Sequence, residues 1–148
     1  RTLAQEYIDR YFERYPGVHA YMEQTRALAR EQGYVETVFG RRLYLPEINA
    51  KQPPRRQGAE RAAINAPMQG TAADIIKRAM IRIPAALDGA GLAAKMLLQV
   101  HDELIFEAPE DQVEATIEAV KTTMERAAHL SVPLTVEAGV GDSWADAH

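Results

Sequence analysis

The sequence predicts an α+β protein: an antiparallel sheet covered by helices on one face, joined to a helical part that carries a short β-hairpin. Three observations predict this class. Apolar residues recur every three or four positions over much of the chain, two short apolar stretches flank a polar triplet, and turn residues separate these segments. A hydrophobic content of 47% in 148 residues is sufficient for a buried core.

The first 59 residues predict two helices, a hairpin and a loop. Residues 1–14 and 18–32 carry apolar side chains at helical spacing, and Gly33 is suited to end the second helix. The stretch YVETVFGRRLYLPEI places β-branched and aromatic residues on both sides of Phe39-Gly40, which predicts a short hairpin. The stretch NAKQPPRRQGA predicts a surface loop.

The next part predicts a long helix and a second hairpin. A helical pattern begins at Glu60, and Pro67 must either kink this helix or open a new one after Asn65. Residues 95–100 and 104–107 predict two strands, and the triplet His-Asp-Glu joins them as a tight turn.

The C-terminal part predicts a helix and then a strand. Pro109 is followed by Glu110 and Asp111, a combination typical of a first helical turn. Residues 132–140, VPLTVEAGV, alternate apolar positions with others and predict a last strand. This order contains no internal repeat and favours an antiparallel sheet with helices on one face.

Charge is distributed unevenly along the chain. The net charge is −4, but residues 41–95 hold ten basic and four acidic side chains, whereas residues 96–148 hold two and eleven. A basic middle third in an acidic protein is expected where one surface meets a polyanion. An ordinary solvated face is an equally good interpretation of the charge alone.

Composition excludes some classes of protein. The chain has no cysteine, so it has neither disulfides nor thiolate metal sites, and it has no apolar run long enough to cross a bilayer. We therefore expect a soluble cytoplasmic protein without a membrane partner. Because the sequence starts with Arg1 and leads directly into a helical pattern, we also expect that the natural chain extends upstream.

The most informative motif is QVHDELIFE, residues 99–107, because it places two adjacent carboxylates between strands that otherwise favour burial. Mg²⁺ is typically held by one or two protein carboxylates together with substrate phosphates, so Asp102 and Glu103 could serve a metal site. The simpler interpretation is that both are solvated residues of a hairpin turn. The motif alone favours the turn and leaves the metal site open.

A second motif lies in residues 60–80, where Arg61, Asn65 and Gln69 recur every four residues and share one side of a helix. Arginine can bind a phosphate, and the two amides can donate to the acceptors that every base pair presents in the minor groove. Such a row would detect duplex shape without reading sequence. A solvated helix face with three polar residues is the simpler interpretation, and the row alone favours it.

Together these stretches resemble the C-terminal region of family A DNA polymerases. The similar stretches are YFERYPGV, GYVETVFGRRLYLPEI, residues 60–80, QVHDELIFE and VPLTVEAGVGDSW, in the order of that family. The resemblance covers essentially the whole chain and is far more specific than either motif. It implies a right-hand architecture, with residues 1–57 in the fingers subdomain and residues 58–148 in the palm.

The resemblance implies template-directed DNA polymerisation, in which a nucleotide passes from a dNTP to the primer 3′ hydroxyl during DNA replication and repair. Asp102 matches the catalytic carboxylate that holds two Mg²⁺ ions in this family. Glu103 matches the neighbouring acid, which would adjust the metal site or the primer terminus. His101 would face the primer end, or would simply hydrogen-bond across the turn.

The resemblance also implies a DNA-binding role for the helical row. Arg61, Asn65 and Gln69 match positions that touch template and primer from the minor-groove side. Arg41 and Arg42 would meet the template backbone. The implied partners are primer-template DNA, dNTP and the upstream portion of the same polymerase.

The resemblance further implies that this chain holds only part of an active site. In the family, the first catalytic Asp and the fingers helix that binds the incoming nucleotide lie upstream, and neither has a counterpart here. We therefore expect no polymerisation by these residues alone. Two alternatives remain: a non-catalytic DNA-binding or interaction module that uses the basic middle third, and a metal-dependent phosphodiesterase built on Asp102 and Glu103, for which the chain offers few convergent carboxylates.

Overall fold

Helices and two antiparallel hairpins form the structure, a computed structural model that describes residues 2–147. The elements are α1 (Thr2–Arg14), α2 (Pro16–Gln32), β1 (Tyr34–Glu36), β2 (Arg42–Tyr44), α3 (Pro53–Gly89), β3 (Lys95–Val100), β4 (Glu103–Glu107), a 3-10 turn (Glu110–Gln112) and α4 (Val113–Glu125). The predicted α+β class is confirmed. The chain divides into two compact units, Arg1–Thr71 and Ala72–His148, and each is described by itself.

In the first unit, a hairpin packs with α2 and the first half of α3. Gly33 ends α2 as predicted, since its φ of 80° is easy for glycine and its N–H donates to the Ala29 carbonyl at 2.9 Å. Strands β1 and β2 pair antiparallel, which confirms the predicted hairpin. The buried core of this unit consists of Ala29, Val35, Leu45, Ile48 and Ala63.

Helix α3 starts earlier than its apolar pattern indicates. It begins at Pro53, so the prediction of a loop over residues 49–59 is wrong for most of that stretch. Pro53 and Pro54 fit the first turn because the N–H groups of that turn have no acceptor within the helix. The helical bonds then begin, with the Arg56 N–H donating to the Gln52 carbonyl at 3.1 Å.

Helix α3 also continues through Pro67, so no new helix opens after Asn65. Proline cannot donate to the carbonyl four residues earlier, and this turn of the helix is therefore one hydrogen bond short. The Thr71 hydroxyl donates to the Pro67 carbonyl at 2.5 Å, which adds a side-chain bond in the next turn of the helix.

In the second unit, β3 and β4 form the predicted second hairpin. Their register runs from Val100↔Glu103 to Lys95↔Glu107, with an irregularity between Met96 and Leu98. Because β4 begins at Glu103, one residue earlier than predicted, the turn contains two residues. Leu104 and Phe106 of β4 pack against a core formed by Ala79, Ile83, Leu87, Val120 and Ala127. One face of this hairpin is thus covered by helices, as predicted.

Helix α4 confirms the helix predicted after Pro109, although its entry is a 3-10 turn at Glu110–Gln112. The chain just beyond its end is held by arginines of α3. Arg78 Nε donates to the Ala127 carbonyl at 3.2 Å, and Arg82 donates to the Arg126 carbonyl at 3.0 Å. Cations are favourable near the carbonyl end of a helix, so these two basic groups serve the fold.

Residues 132–140 form no strand in the described part of the chain, so that prediction is wrong. A strand needs a neighbour that pairs with its backbone N–H and C=O groups. Among the described strands, β3 and β4 pair with each other and not with this segment. Alternation without a pairing partner does not produce a strand, and the Val136 N–H donates instead to the Glu125 carboxylate at 3.2 Å.

None of the helices within residues 2–147 combines the length and the apolar character that crossing a bilayer requires.

Candidate active site and nucleic-acid interface

The β3–β4 turn consists of His101 and Asp102 and reverses the chain within two residues. His101 has φ of 54°, in the left-handed region that residues with a Cβ atom seldom occupy. Its carbonyl accepts a 2.8 Å hydrogen bond from the side-chain amide of Gln99, which supports the turn from β3. This reversal puts Asp102 at the tip of the hairpin.

The two acidic residues at this tip differ in exposure. Asp102 is exposed, and its carboxylate takes part in no hydrogen bond or ion pair with the residues that the structure describes. Glu103 is half-buried on β4. Because successive side chains of a strand alternate, and Leu104 faces the helical core, Glu103 lies on the opposite face of the hairpin. Asp102 is therefore the more accessible of the two carboxylates.

The oxygen donors at this turn fit part of a magnesium site. Carboxylate oxygens are the hard ligands that Mg²⁺ prefers, and the ion usually takes only one or two of them from the protein. Nowhere in residues 2–147 do three or more His, Cys, Asp or Glu side chains converge as a metal-binding group. The remaining ligands would thus come from water, substrate phosphates or other protein residues.

The helical row predicted from the sequence lies on α3 in the first unit. Arg61, Asn65 and Gln69 are all exposed, and because α3 is continuous here, their spacing of four places them along one side. None of these side chains hydrogen-bonds or ion-pairs with another described residue. They are available to a ligand such as the edge of a nucleic-acid duplex. The acidic turn belongs to the second unit.

The residue before this row, Glu60, is held by an ion pair. Arg30 of α2 donates to its carboxylate at 2.7 Å, and Arg56 lies 3.9 Å away. The hydrogen bond from Arg30 is the main reason that the pKa of Glu60 lies below its usual range, and the charges of the neighbouring arginines add to it. The pair ties α2 to α3 beside Arg61.

Arg41 and Arg42, predicted to meet a template, both make contacts within the chain. Arg42 ion-pairs with Glu36 across the hairpin at 2.7 Å, which raises the pKa of the guanidinium, and it lies 4.4 Å from the centre of the Tyr34 ring. Arg41 donates to the Gly70 carbonyl at 3.0 Å. A contact of either arginine with DNA stays a prediction.

Three residues that were not predicted from the sequence join the β1–β2 turn to α3. Thr37 and Thr71 are each only 8% exposed, and Gly70 lies directly against Thr37. A glycine inside a helical pattern was the available signal, because such a residue costs helix stability unless close packing requires it. The two threonines carried no comparable signal, since their partners are distant in sequence.

Comparison with known proteins places the chain in a family. The family model described as DNA polymerase family A matches residues 1–146. The chain therefore belongs to DNA polymerase family A. The resemblance drawn from the sequence motifs is thereby confirmed.

Two curated relatives show how much of a complete enzyme this chain represents. DNA polymerase I of Pseudomonas aeruginosa is 63% identical over 148 residues, which is all of this chain and 16% of that protein. The thermostable DNA polymerase I of Thermus aquaticus is 49% identical over 144 residues, which is 97% of this chain and 17% of that protein. The chain therefore spans less than a fifth of either relative.

A solved structure is also similar. The POL domain of Pol1 from M. smegmatis, in complex with DNA primer-template and dNTP, matches with a TM-score of 0.95 and 46% sequence identity. The match covers 99% of this chain and 26% of that one. The similarity to this structure therefore extends over nearly all of the helices and strands described above.

Proposed function

We propose that this chain contributes part of the active site of a template-directed DNA polymerase that acts in DNA replication and repair. The reaction would transfer a nucleotide from a dNTP to the 3′ hydroxyl of a primer. Membership of DNA polymerase family A supports the proposal, as does the similar structure that holds primer-template and dNTP. The observation that carries it is the exposed carboxylate of Asp102 at the tip of an antiparallel hairpin.

In this proposal Asp102 is the catalytic residue that holds Mg²⁺, and Glu103 is the neighbouring acid that adjusts the metal site or the primer terminus. Two bound ions would supply charge neutralisation at the phosphates and a lower pKa for the primer hydroxyl. The contribution of the chain is position: a two-residue turn fixes the Asp102 carboxylate on a hairpin packed against a helical core. Positioning and electrostatics carry most of the rate in phosphoryl-type transfer.

Binding of primer-template would use the α3 row. Arg61 would contact phosphate, and the amides of Asn65 and Gln69 would donate to minor-groove acceptors. The exposure of all three supports this role. His101 would face the primer end from the turn. Such contacts sense duplex shape and are independent of sequence.

The rest of the site would come from the remainder of the polymerase. We assign residues 1–57 to the fingers and residues 58–148 to the palm of a right-hand enzyme that works in the cytoplasm. The described residues supply no group of three metal-binding side chains, so further carboxylates are needed to hold two ions around a triphosphate. The partners would be primer-template DNA, dNTP and the upstream part of the same enzyme.

Primer extension with two proteins tests the proposal. One is the isolated 148-residue chain, and the other is a hybrid polymerase, in which these residues replace the matching segment of Pseudomonas aeruginosa DNA polymerase I. We expect Mg²⁺-dependent extension by the hybrid and none by the isolated chain. Robust incorporation by the isolated chain would contradict a partial site. A folded hybrid that binds DNA with strong salt dependence but extends no primer would favour a DNA-binding module instead.

A further inference from the structure

The β1–β2 turn touches α3 at a single helical turn, directly beside Gln69. The Val38 N–H donates to Thr71 Oγ1 at 3.0 Å, and the Arg41 guanidinium donates to the Gly70 carbonyl at 3.0 Å. One contact uses the backbone of the turn and the other uses its side chain. The hairpin is therefore fixed to α3 on both sides of the turn.

The turn itself is rigid because Thr37 closes it. Its N–H donates to the Arg41 carbonyl at 2.9 Å. Its Oγ1 accepts hydrogen bonds from the backbone N–H groups of Phe39 and Arg41 at 3.3 and 3.2 Å. The Gly40 N–H also donates to the Thr37 carbonyl at 2.9 Å. These internal hydrogen bonds hold the turn in one conformation. A displacement of α3 relative to Thr37 would therefore shift the whole turn.

Gly70 is the point of closest approach. A Cβ atom at this position would lie 2.7 Å from the Thr37 Cγ2 methyl and 3.2 Å from an Arg41 guanidinium nitrogen. The guanidinium is the end of a flexible side chain and can move, but the methyl of a buried β-branched residue cannot. Gly58, on the same helix, would place its Cβ in open space. The need for glycine is thus specific to residue 70.

Gln69 shares a cavity with the residues of the turn. The cavity has a volume of about 250 Å³, and its lining includes Gln69, Gly70, Thr37, Arg41 and Glu36. Gln69 is exposed, and the turn forms the surface that bounds it on the side of this cavity. The distance between the hairpin and α3, which Gly70 sets, therefore bears on the orientation of the Gln69 amide.

We propose that Thr37 and Arg41 are positioning residues for Gln69, acting through their close contact with Gly70, and that they aim its amide at a minor-groove acceptor of the primer-template. The proposal rests on the function proposed above for Gln69. In this account Arg41 acts on the DNA through α3, by holding the Gly70 carbonyl. Neither positioning residue touches the reacting atoms.

The test uses the hybrid polymerase and two primer-templates that differ in one atom. One carries adenine and the other 3-deazaadenine, which lacks the N3 acceptor, at the base pair that Gln69 contacts; a scan along the primer end finds that pair. Because one hydrogen bond is lost, we expect kcat/KM to fall about fivefold on the deaza substrate. Gln69→Ala should abolish this dependence.

The informative variants are Gly70→Ala, Gly70→Ala with Thr37→Ser, and Gly58→Ala as the matched control. Gly70→Ala should reduce the deaza effect to less than about twofold. Adding Thr37→Ser removes the clashing methyl but keeps the hydroxyl that closes the turn, so the dependence should return. Gly58→Ala should behave as the parent. Arg41→Met, which loses the bond to Gly70 without adding bulk, should reduce the deaza effect in part.

The outcomes separate this inference from the proposed function. A full deaza effect in Gly70→Ala would overturn the positioning role, as would a double variant in which Thr37→Ser restores nothing. If Gly70→Ala does not fold, a full deaza effect in Arg41→Met overturns it. A parent enzyme that extends both substrates equally at every position would instead refute the role of Gln69, and absence of extension would refute the polymerase function.

Discussion

Val38 and Thr71 are joined by a hydrogen bond between a backbone N–H and a buried hydroxyl, 3.0 Å long, that links the first hairpin to α3. The same hydroxyl donates to the Pro67 carbonyl at 2.5 Å, one helical turn earlier in α3. One side chain therefore serves two backbone groups of different segments.

Thr71→Val tests this link, because valine keeps the shape of the side chain and removes its hydroxyl. The Val38 N–H would lose its partner at a partly buried hydrogen bond, which costs about 1 kcal/mol. Hydrogen exchange of the Val38 amide should accelerate accordingly. Thr123→Val is the control, since the Thr123 hydroxyl bonds only to Ala119 within its own helix. If Thr71→Val and Thr123→Val accelerate exchange of the Val38 amide equally, the Thr71 hydroxyl does not link the first hairpin to α3.

Glu60→Gln should lower stability at pH 7 by about 1 kcal/mol, because the charge-assisted bond with Arg30 is lost. The pKa of Glu60 is lower in the folded chain than in the unfolded one, so its contribution is complete above the unfolded pKa. This contribution to the free energy of unfolding disappears as the pH falls through the pKa of Glu60 in the folded chain.

Urea midpoints of the parent and Glu60→Gln at pH 7 and pH 4 measure this effect. The difference between them should shrink at pH 4. Glu47→Gln is the control, because the ion pair of Glu47 with Arg55 is longer, at 3.3 Å, and largely exposed. A Glu60→Gln deficit that stays constant over this pH range would assign the effect to packing.

We expect the backbone conformation of His101 to lower the stability of the chain and its imidazole to serve function. Its φ of 54° costs about 1 kcal/mol for a residue with a Cβ atom, and glycine would adopt it without penalty. We expect His101→Gly to stabilise the chain by up to about 1 kcal/mol, and His101→Ala to give no gain because alanine keeps the Cβ.

Both variants lack the imidazole, so in the hybrid polymerase they should lose primer extension to a similar degree if His101 faces the primer end. Urea unfolding and extension rates measure the two effects independently. Full activity in both variants would leave only the structural role of the turn.

Features that depend on neighbours in sequence were predicted well. The hairpin tip at Asp102 follows from a polar triplet between two apolar stretches, and the end of α2 follows from Gly33 alone. Both are local patterns with a direct physical cause. The family resemblance, which rests on ordered motifs over the whole chain, was confirmed by the comparisons.

Features that depend on distant partners were predicted poorly. Residues 132–140 have the alternation of a strand, but pairing is decided by whether another strand lies alongside. The start of α3 was missed because Pro53-Pro54 is typical of both loops and first helical turns. The contact of Gly70 with Thr37 joins residues 33 positions apart, and sequence periodicity carries no information on it.

Asp102→Asn in the hybrid polymerase shows whether polymerisation depends on the Asp102 carboxylate. Primer extension and primer-template affinity are measured together, with Asp111→Asn, another exposed acid, as the control. We expect extension by Asp102→Asn to fall by at least about 1,000-fold while affinity changes less than about threefold, and the control to behave as the parent. Extension by Asp102→Asn at a rate close to that of the parent would show that the Asp102 carboxylate is not needed for polymerisation.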